Sequence, residues 1–193
     1  MPMVLKDIAS RSKKFATLMP LAGVDNPISK DLAMWNDVAA RTTGCEIHDC
    51  SHVIPALRSV KSSAEVKTIQ EAVDITANGF EAATQFVSPD VNEFKVQATL
   101  EYGYAMAGGR GSAFPPIVGS GMNSTVLHYK ENNQELVSGD LVCIDSGAFH
   151  LGYGADISRT VPVSGTFSKR QKEIYEIVLA AEEAAIRAVK PGV

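Results

Sequence analysis

Two aspartates on neighbouring apolar segments carry the strongest chemical signal in the chain. Gly139-Asp140-Leu141-Val142-Cys143-Ile144-Asp145-Ser146-Gly147-Ala148 and Tyr153-Gly154-Ala155-Asp156-Ile157-Ser158-Arg159-Thr160 flank a short turn. A two-residue turn at His150-Leu151 closes an antiparallel hairpin with Asp145 directly opposite Asp156. Opposed Cβ atoms lie about 4.5–5.5 Å apart. Two ionised carboxylates at that distance repel, and an apolar sheet gives little water to screen them. Either one acid keeps its proton, as in an acid–base dyad, or divalent cations sit between the two. The alternative is a pair of strand-end aspartates touching only solvent, and a one-residue slip of the ladder would separate them onto opposite faces. Gly147, Gly152 and Gly154 weaken the strands they occupy, a sign that another group approaches closely. Ser158 and Thr160 share the face of Asp156, where they can hydrogen-bond a metal-bound carboxylate.

Other chemistry-bearing residues read more plainly. Cys45-Glu46-Ile47-His48-Asp49-Cys50-Ser51-His52 resembles a zinc ligand cluster in composition, with His48, Cys50 and His52 on one strand face and Cys45 on the other. Its spacing fits no finger or ribbon, so a strand running into a loop is expected. Gly108-Gly109-Arg110-Gly111 lacks the Lys-Ser/Thr of a phosphate loop and follows a helical pattern, which makes it a helix stop. Taken alone, His128 is an ordinary loop histidine and His150 a solvent-exposed turn residue. Cys143 is a small packed hydrophobe in a buried strand.

The elements that must hold these residues follow from periodicity. Residues 1–27 are punctuated by Pro20, Gly23, Asn26 and Pro27 and read as a loop or arm. Ser29 caps a helix carrying Leu32, Trp35 and Val38, stopped by Gly44; Glu46–Asp49 reads as a short strand. Ser62-Ser63-Ala64-Glu65 is a capping box for a long helix with Val66, Ile69, Val73, Ala77, Phe80, Ala83 and Val87 on one stripe. Asp90-Val91-Asn92-Glu93 opens a second helix through Phe94, Leu100 and Tyr104. The period then falls to two over residues 113–118, 125–129, 141–148 and 153–163, which read as strands. Ser168-Lys169-Arg170-Gln171 opens a last helix with Ile174, Ile177 and Val178, ended by Lys190-Pro191-Gly192. Helices, then strands, then a helix is the order of an α+β fold with an antiparallel sheet.

Composition bounds the function class. The chain has 193 residues, 45% hydrophobic and 21% charged, enough apolar material for a core. Its 18 Lys+Arg against 22 Asp+Glu give a net charge of -4, which argues against a nucleic-acid partner bound through bulk charge. No apolar run is long enough for a membrane span, and Met1-Pro2-Met3-Val4-Leu5-Lys6-Asp7 lacks the apolar region of a secretory signal. Three cysteines, Cys45, Cys50 and Cys143, are too few for a disulfide framework. A reduced, cytoplasmic protein with no membrane partner is expected.

Several ordered motifs together resemble one family. They are Leu57-Arg58-Ser59-Val60-Lys61-Ser62, Ile117-Val118-Gly119-Ser120-Gly121, Val126-Leu127-His128-Tyr129, Gly139-Asp140-Leu141-Val142-Cys143-Ile144-Asp145-Ser146-Gly147 and Ala155-Asp156-Ile157-Ser158-Arg159-Thr160-Val161-Pro162-Val163. The order and intervals resemble the Xaa-Pro aminopeptidases and prolidases, metallopeptidases with the pita-bread fold, over roughly residues 30–193. The resemblance implies a dinuclear site, usually of manganese, bound by two Asp, one His and two Glu. Asp145 and Asp156 match the two Asp. His128 matches a family His that contacts substrate and helps proton movement. A metal-bridging water would attack the peptide bond before proline.

The family's metal-binding His and both Glu fall beyond the Pro-Gly that ends the last helix, so the ligand set within Met1–Val193 is expected to be incomplete. Two carboxylates supply at most four oxygens, fewer than two six-coordinate cations need. Residues 1–54 are expected to be a remnant of an N-terminal creatinase-like domain, and 55–193 the N-terminal half of a pita-bread catalytic domain. The function expected is a metal-dependent aminopeptidase, or a fragment of one, acting on peptides with proline at the second position. The chain alone is expected to be inactive. An Xaa-Pro dipeptidase, or a non-catalytic pita-bread-like binding module, is the alternative. An apolar sheet face left open would favour homo-oligomers.

Overall fold

The computed structural model describes residues 7–8, 11–18 and 28–193. Of the arm expected over 1–27, residues 1–6, 9–10 and 19–27 lie outside the described residues. The chain divides into two compact units, Met1–Ser62 and Ser63–Val193.

The first unit contains β1 (Lys14–Thr17), α1 (Lys30–Arg41), β2 (Glu46–Asp49) and α2 (Val53–Ser59). Part of the expected arm is therefore a strand, and it pairs in parallel with β2, Phe15 opposite Ile47. Side-chain burial explains the strand: Phe15 and Val38 form a small core with Trp35 and Cys45 packed against it. The Phe15 and Trp35 rings lie 5.0 Å apart. Ser29 caps α1 as expected, its hydroxyl accepting from Leu32 N at 3.1 Å. Gly44, with φ of 75°, takes the left-handed conformation that turns the chain into β2.

The second unit opens with α3 (Ser63–Phe86) and α4 (Glu93–Met106). The stripe expected on α3 is partly displaced. Phe80 and Ala83 are buried as expected, but Val66 and Ala77 are exposed, and Ala72, Ile75, Thr76 and Gly79 take places on the inner face. Close helix crossing is the reason. A Cβ on Gly79 would run into the Tyr104 ring, and one on Gly103 would lie 2.6 Å from Gly79 Cα. Two glycines facing each other let the α3 and α4 backbones approach, and small residues therefore take the inner face. The cap of α4 is Asn92, whose side chain accepts from Phe94 N at 3.2 Å. Asp90, expected to start the box, instead has φ of 65° in the preceding turn.

Three strands, β3 (Ile117–Ser120), β4 (Leu141–Ser146) and β7 (Ile157–Pro162), form an antiparallel sheet in the order β3-β4-β7. A small hairpin, β5 (Phe149–His150) and β6 (Tyr153–Gly154), extends from it. One face of β4 carries Val142 and Ile144 into a core with Leu100, Tyr104, Val118 and Leu136. Burying each such side chain contributes about 1.5–3 kcal/mol. Thr76 of α3 pins this layer by accepting from Ala148 N at 2.9 Å. Residues 125–129, expected as a strand, are not one. Gly121–Thr125 forms a 3-10 turn and the rest is loop.

The last helix, α5 (Lys169–Ala188), has the full capping box: Ser168 Oγ accepts from Gln171 N and Gln171 Oε1 accepts from Ser168 N. Its apolar stripe, including Ile177 and Val178, is exposed. No described helix is long and apolar enough to cross a membrane.

Candidate metal centre

Strand alternation sorts β4 into two faces. Val142, Ile144 and Ser146 point into the core, while Leu141, Cys143 and Asp145 are half-buried on the other face. Cys143 is thus not packed in the interior; it shares the face of Asp145. Beneath the sheet, burial pushes Tyr104 up to about 12, so it stays a neutral phenol near Asp145.

The hairpin register differs from the expected one. Asp145 lies opposite Ser158, not Asp156. The cause is the turn, which falls on Leu151 and Gly152, with φ of 46° and 89°. Both central residues of this tight turn need positive φ, which Gly152 accepts at no cost. Moving a two-residue turn by one position shifts the pairing by two residues, and two residues preserve the face. Asp156 therefore remains on the Asp145 side as a diagonal neighbour. Ser158 Oγ donates to Asp145 Oδ1 at 2.9 Å. Asp156 is held above the usual carboxylate range by desolvation first, then by the negative charge of Asp145 and hydrogen bonding with it. Gly147 makes this corner possible, since a Cβ there would strike the Ala155 carbonyl. The same shift moves His150 out of the turn. Its side chain is only 19% exposed, and its Nε2 lies 3.4 Å from Glu71 of α3.

His128 sits in the loop after the 3-10 turn, exposed, with φ of 53°. No hydrogen bond joins it to either aspartate among the described residues. Its backbone is fixed by neighbours that sequence reasoning passed over. Tyr129 is buried and Asn132 is buried, and both bond to groups on α4 or β3. The signal available was the polar pair Asn132-Asn133 between two apolar segments, which spacing alone does not connect to a partner.

The structure brings two carboxylates together on one open face. Hard oxygen donors of this kind suit manganese or magnesium. Among the described residues no group of three or more His, Cys, Asp or Glu is gathered to hold a metal ion. The donors fit part of a metal site. In the Cys45–His52 segment, His48 Nε2 lies 3.3 Å from Glu46 Oε2, and both cysteines, Cys45 and Cys50, are free.

Residues 67–193 match Metallopeptidase family M24, and the chain belongs to that family. It is 38% identical over 144 residues to the Xaa-Pro aminopeptidase of Escherichia coli, covering 75% of this chain and 33% of that protein. It is 38% identical over 148 residues to the Xaa-Pro dipeptidase of Pyrococcus horikoshii, covering 77% of this chain and 42% of that protein. Among solved structures, an Escherichia coli aminopeptidase P variant in complex with substrate superimposes with a TM-score of 0.85 at 29% identity. That match covers 98% of this chain and 44% of the other. A zinc-substituted form of the same enzyme in complex with product gives 0.84, at 29% identity over 98% and 44% of the two chains. The fold is α+β, about half of the pita-bread architecture. The chain spans well under half the length of these curated relatives.

Proposed function

We propose that the chain forms part of a metal-dependent aminopeptidase that hydrolyses the bond between an N-terminal residue and proline. The observation that carries this is the Asp145–Asp156 pair on the open face of the sheet, in a chain of the M24 family. Asp145 and Asp156 hold divalent cations, manganese by preference, and Ser158 orients Asp145 through its hydroxyl. A divalent metal bound there supplies a low-pKa water and polarises the carbonyl under attack. His128 contacts the peptide and helps move its proton. Residues 1–54 are a remnant of a creatinase-like N-terminal domain, and 55–193 are half of the catalytic domain.

The relatives' dipeptidase activity is the nearest second choice, supported by the 38% identity to the archaeal Xaa-Pro dipeptidase. A non-catalytic binding module is favoured by one observation, the lack of a third metal-binding side chain beside the pair among the described residues. The exposed Ile177 and Val178 of α5 favour self-association, which sedimentation velocity across protein concentration checks.

Manganese titration calorimetry, paired with an assay on a peptide with proline second, tests the proposal. The chain binds manganese weakly and gives no turnover by itself. Asp145→Asn weakens that binding at least about tenfold. Unchanged affinity in Asp145→Asn would overturn the metal assignment, and clear turnover by the chain alone would overturn the incomplete site.

A further inference from the structure

Glu93 is the first residue of α4, yet it is fully buried. An acid in the first helical turn ordinarily faces solvent and its own helix N-terminus. Here every donor to its carboxylate comes from the stretch Ser120 to Gln134. Oε1 accepts from Ser120 N at 2.8 Å, Ser120 Oγ at 2.7 Å and Asn123 Nδ2 at 3.3 Å. Oε2 accepts from Tyr129 Oη at 2.8 Å and Gln134 N at 3.0 Å. None of the ion pairs among the described residues includes Glu93, so hydrogen bonds alone compensate its burial. Desolvation pushes its carboxyl up, and the bonds from Ser120, Gln134 and Tyr129 together bring it below the ordinary value. It is a buried carboxylate that stays charged because this loop satisfies it.

The donors bracket His128. Ser120 ends β3, Asn123 lies in the 3-10 turn, Tyr129 follows His128 directly, and Gln134 closes the loop. The loop backbone is held in unfavourable conformations, with φ of 53° at His128 and 41° at Asn132. Such geometry persists only where surrounding contacts over-determine it. A second clamp acts on the far side: Asn132 Oδ1 accepts from Val118 N at 3.0 Å, and its Nδ2 donates to the Pro116 carbonyl and to Gln97 Oε1, each at 2.8 Å. The main chain adds Glu93 N to the Gln134 carbonyl at 2.9 Å.

We propose that Glu93 is a positioning residue whose buried carboxylate fixes the loop that presents His128. The purpose of that fixing rests on the substrate-contacting role given to His128 above; the anchoring itself does not.

Nuclear magnetic resonance of the 193-residue chain tests it. In the parent chain the Ser120 and Gln134 amides exchange slowly, and the His128 backbone has an order parameter of about 0.85. Glu93→Gln puts an N–H among donors. Exchange at Ser120 and Gln134 then rises about tenfold or more. The His128 order parameter falls below about 0.6, while Val142 and Ile144 keep their native shifts. Tyr129→Phe removes one bond and leaves the carboxylate in place, so it loosens His128 in a folded chain even if Glu93→Gln does not fold. The proposal is overturned if His128 keeps its order in Tyr129→Phe, or if Glu93→Gln disturbs Val142 and Ile144 as much as His128. A titration with an Xaa-Pro dipeptide separates the two ideas. If His128 is ordered through Glu93 but does not respond to the peptide, the substrate role is lost and the anchoring stands.

Discussion

Glu93 carries a negative charge into the interior with only hydrogen-bond donors around it. Because its folded value is lowered, the ionised form adds stability above the unfolded carboxylate pKa of about 4.3. That stability is lost as pH falls through the folded value. Chemical denaturation between pH 7 and pH 3 should show unfolding free energy dropping from about pH 5 downward, with a flatter slope in Glu93→Gln. Glu93→Ala strands the Ser120 and Gln134 amides and the Tyr129 hydroxyl, and is expected to cost about 3 kcal/mol or more at pH 7. Asp145 and Asp156 illustrate a different point at this scale. Sequence spacing placed the two on one face, where the structure also has them, but set them directly opposite each other; the positive φ required at Gly152 sets the turn one residue later and puts Ser158 opposite Asp145.

Elements are joined here by what is missing as much as by what is present. Gly79 and Gly103 let α3 and α4 touch, and that contact displaces part of the buried stripe of α3 from the position its apolar residues suggest. Gly103→Ala should cost about 1–3 kcal/mol by overpacking, measured by thermal unfolding. Gly147→Ala should cost about 3 kcal/mol or prevent folding, since the Ala155 carbonyl already occupies the space. Ser168→Ala should cost about 1 kcal/mol, with a measurable loss of helical circular dichroism from α5. Capping boxes are local, so the box at Ser168 was legible from four residues. The loop carrying His128 was not legible, because residues 125–129 have the alternation of a strand. That apolar alternation is overridden by long-range bonds to Glu93, and Asn132 holds β3 and α4 alongside.

At the scale of the molecule, the division at Ser62/Ser63 makes a prediction about proteolysis. Val53–Ser59 has no buried residue, and residues 60–62 are exposed. Trypsin should therefore cut first at Arg58 or Lys61, leaving a fragment that keeps the core of Leu100, Tyr104, Val142 and Ile144. Mass spectrometry of the early products checks this; first cleavage within α3 or α4 would contradict it. The open sheet face and the exposed stripe of α5 belong to a chain spanning about half the length of the structures it matches. Family membership is a property of the whole pattern, since no single motif carries it and residues 67–193 together do.

Most element types, the α+β class, the family and the shared face of Asp145 and Asp156 were readable along the chain, because periodicity, caps and motif order are local quantities. The hairpin register, the parallel β1–β2 pair, the buried face of α3 and the conformation at His128 were set by folding. The register follows from the positive-φ turn at Leu151-Gly152, and the other three depend on contacts between residues far apart in the chain: Gly79 against Tyr104, Phe15 beside Val38, Glu93 beneath Tyr129. Spacing cannot encode a partner it does not name, and a buried charge shows its purpose only when its donors are in view.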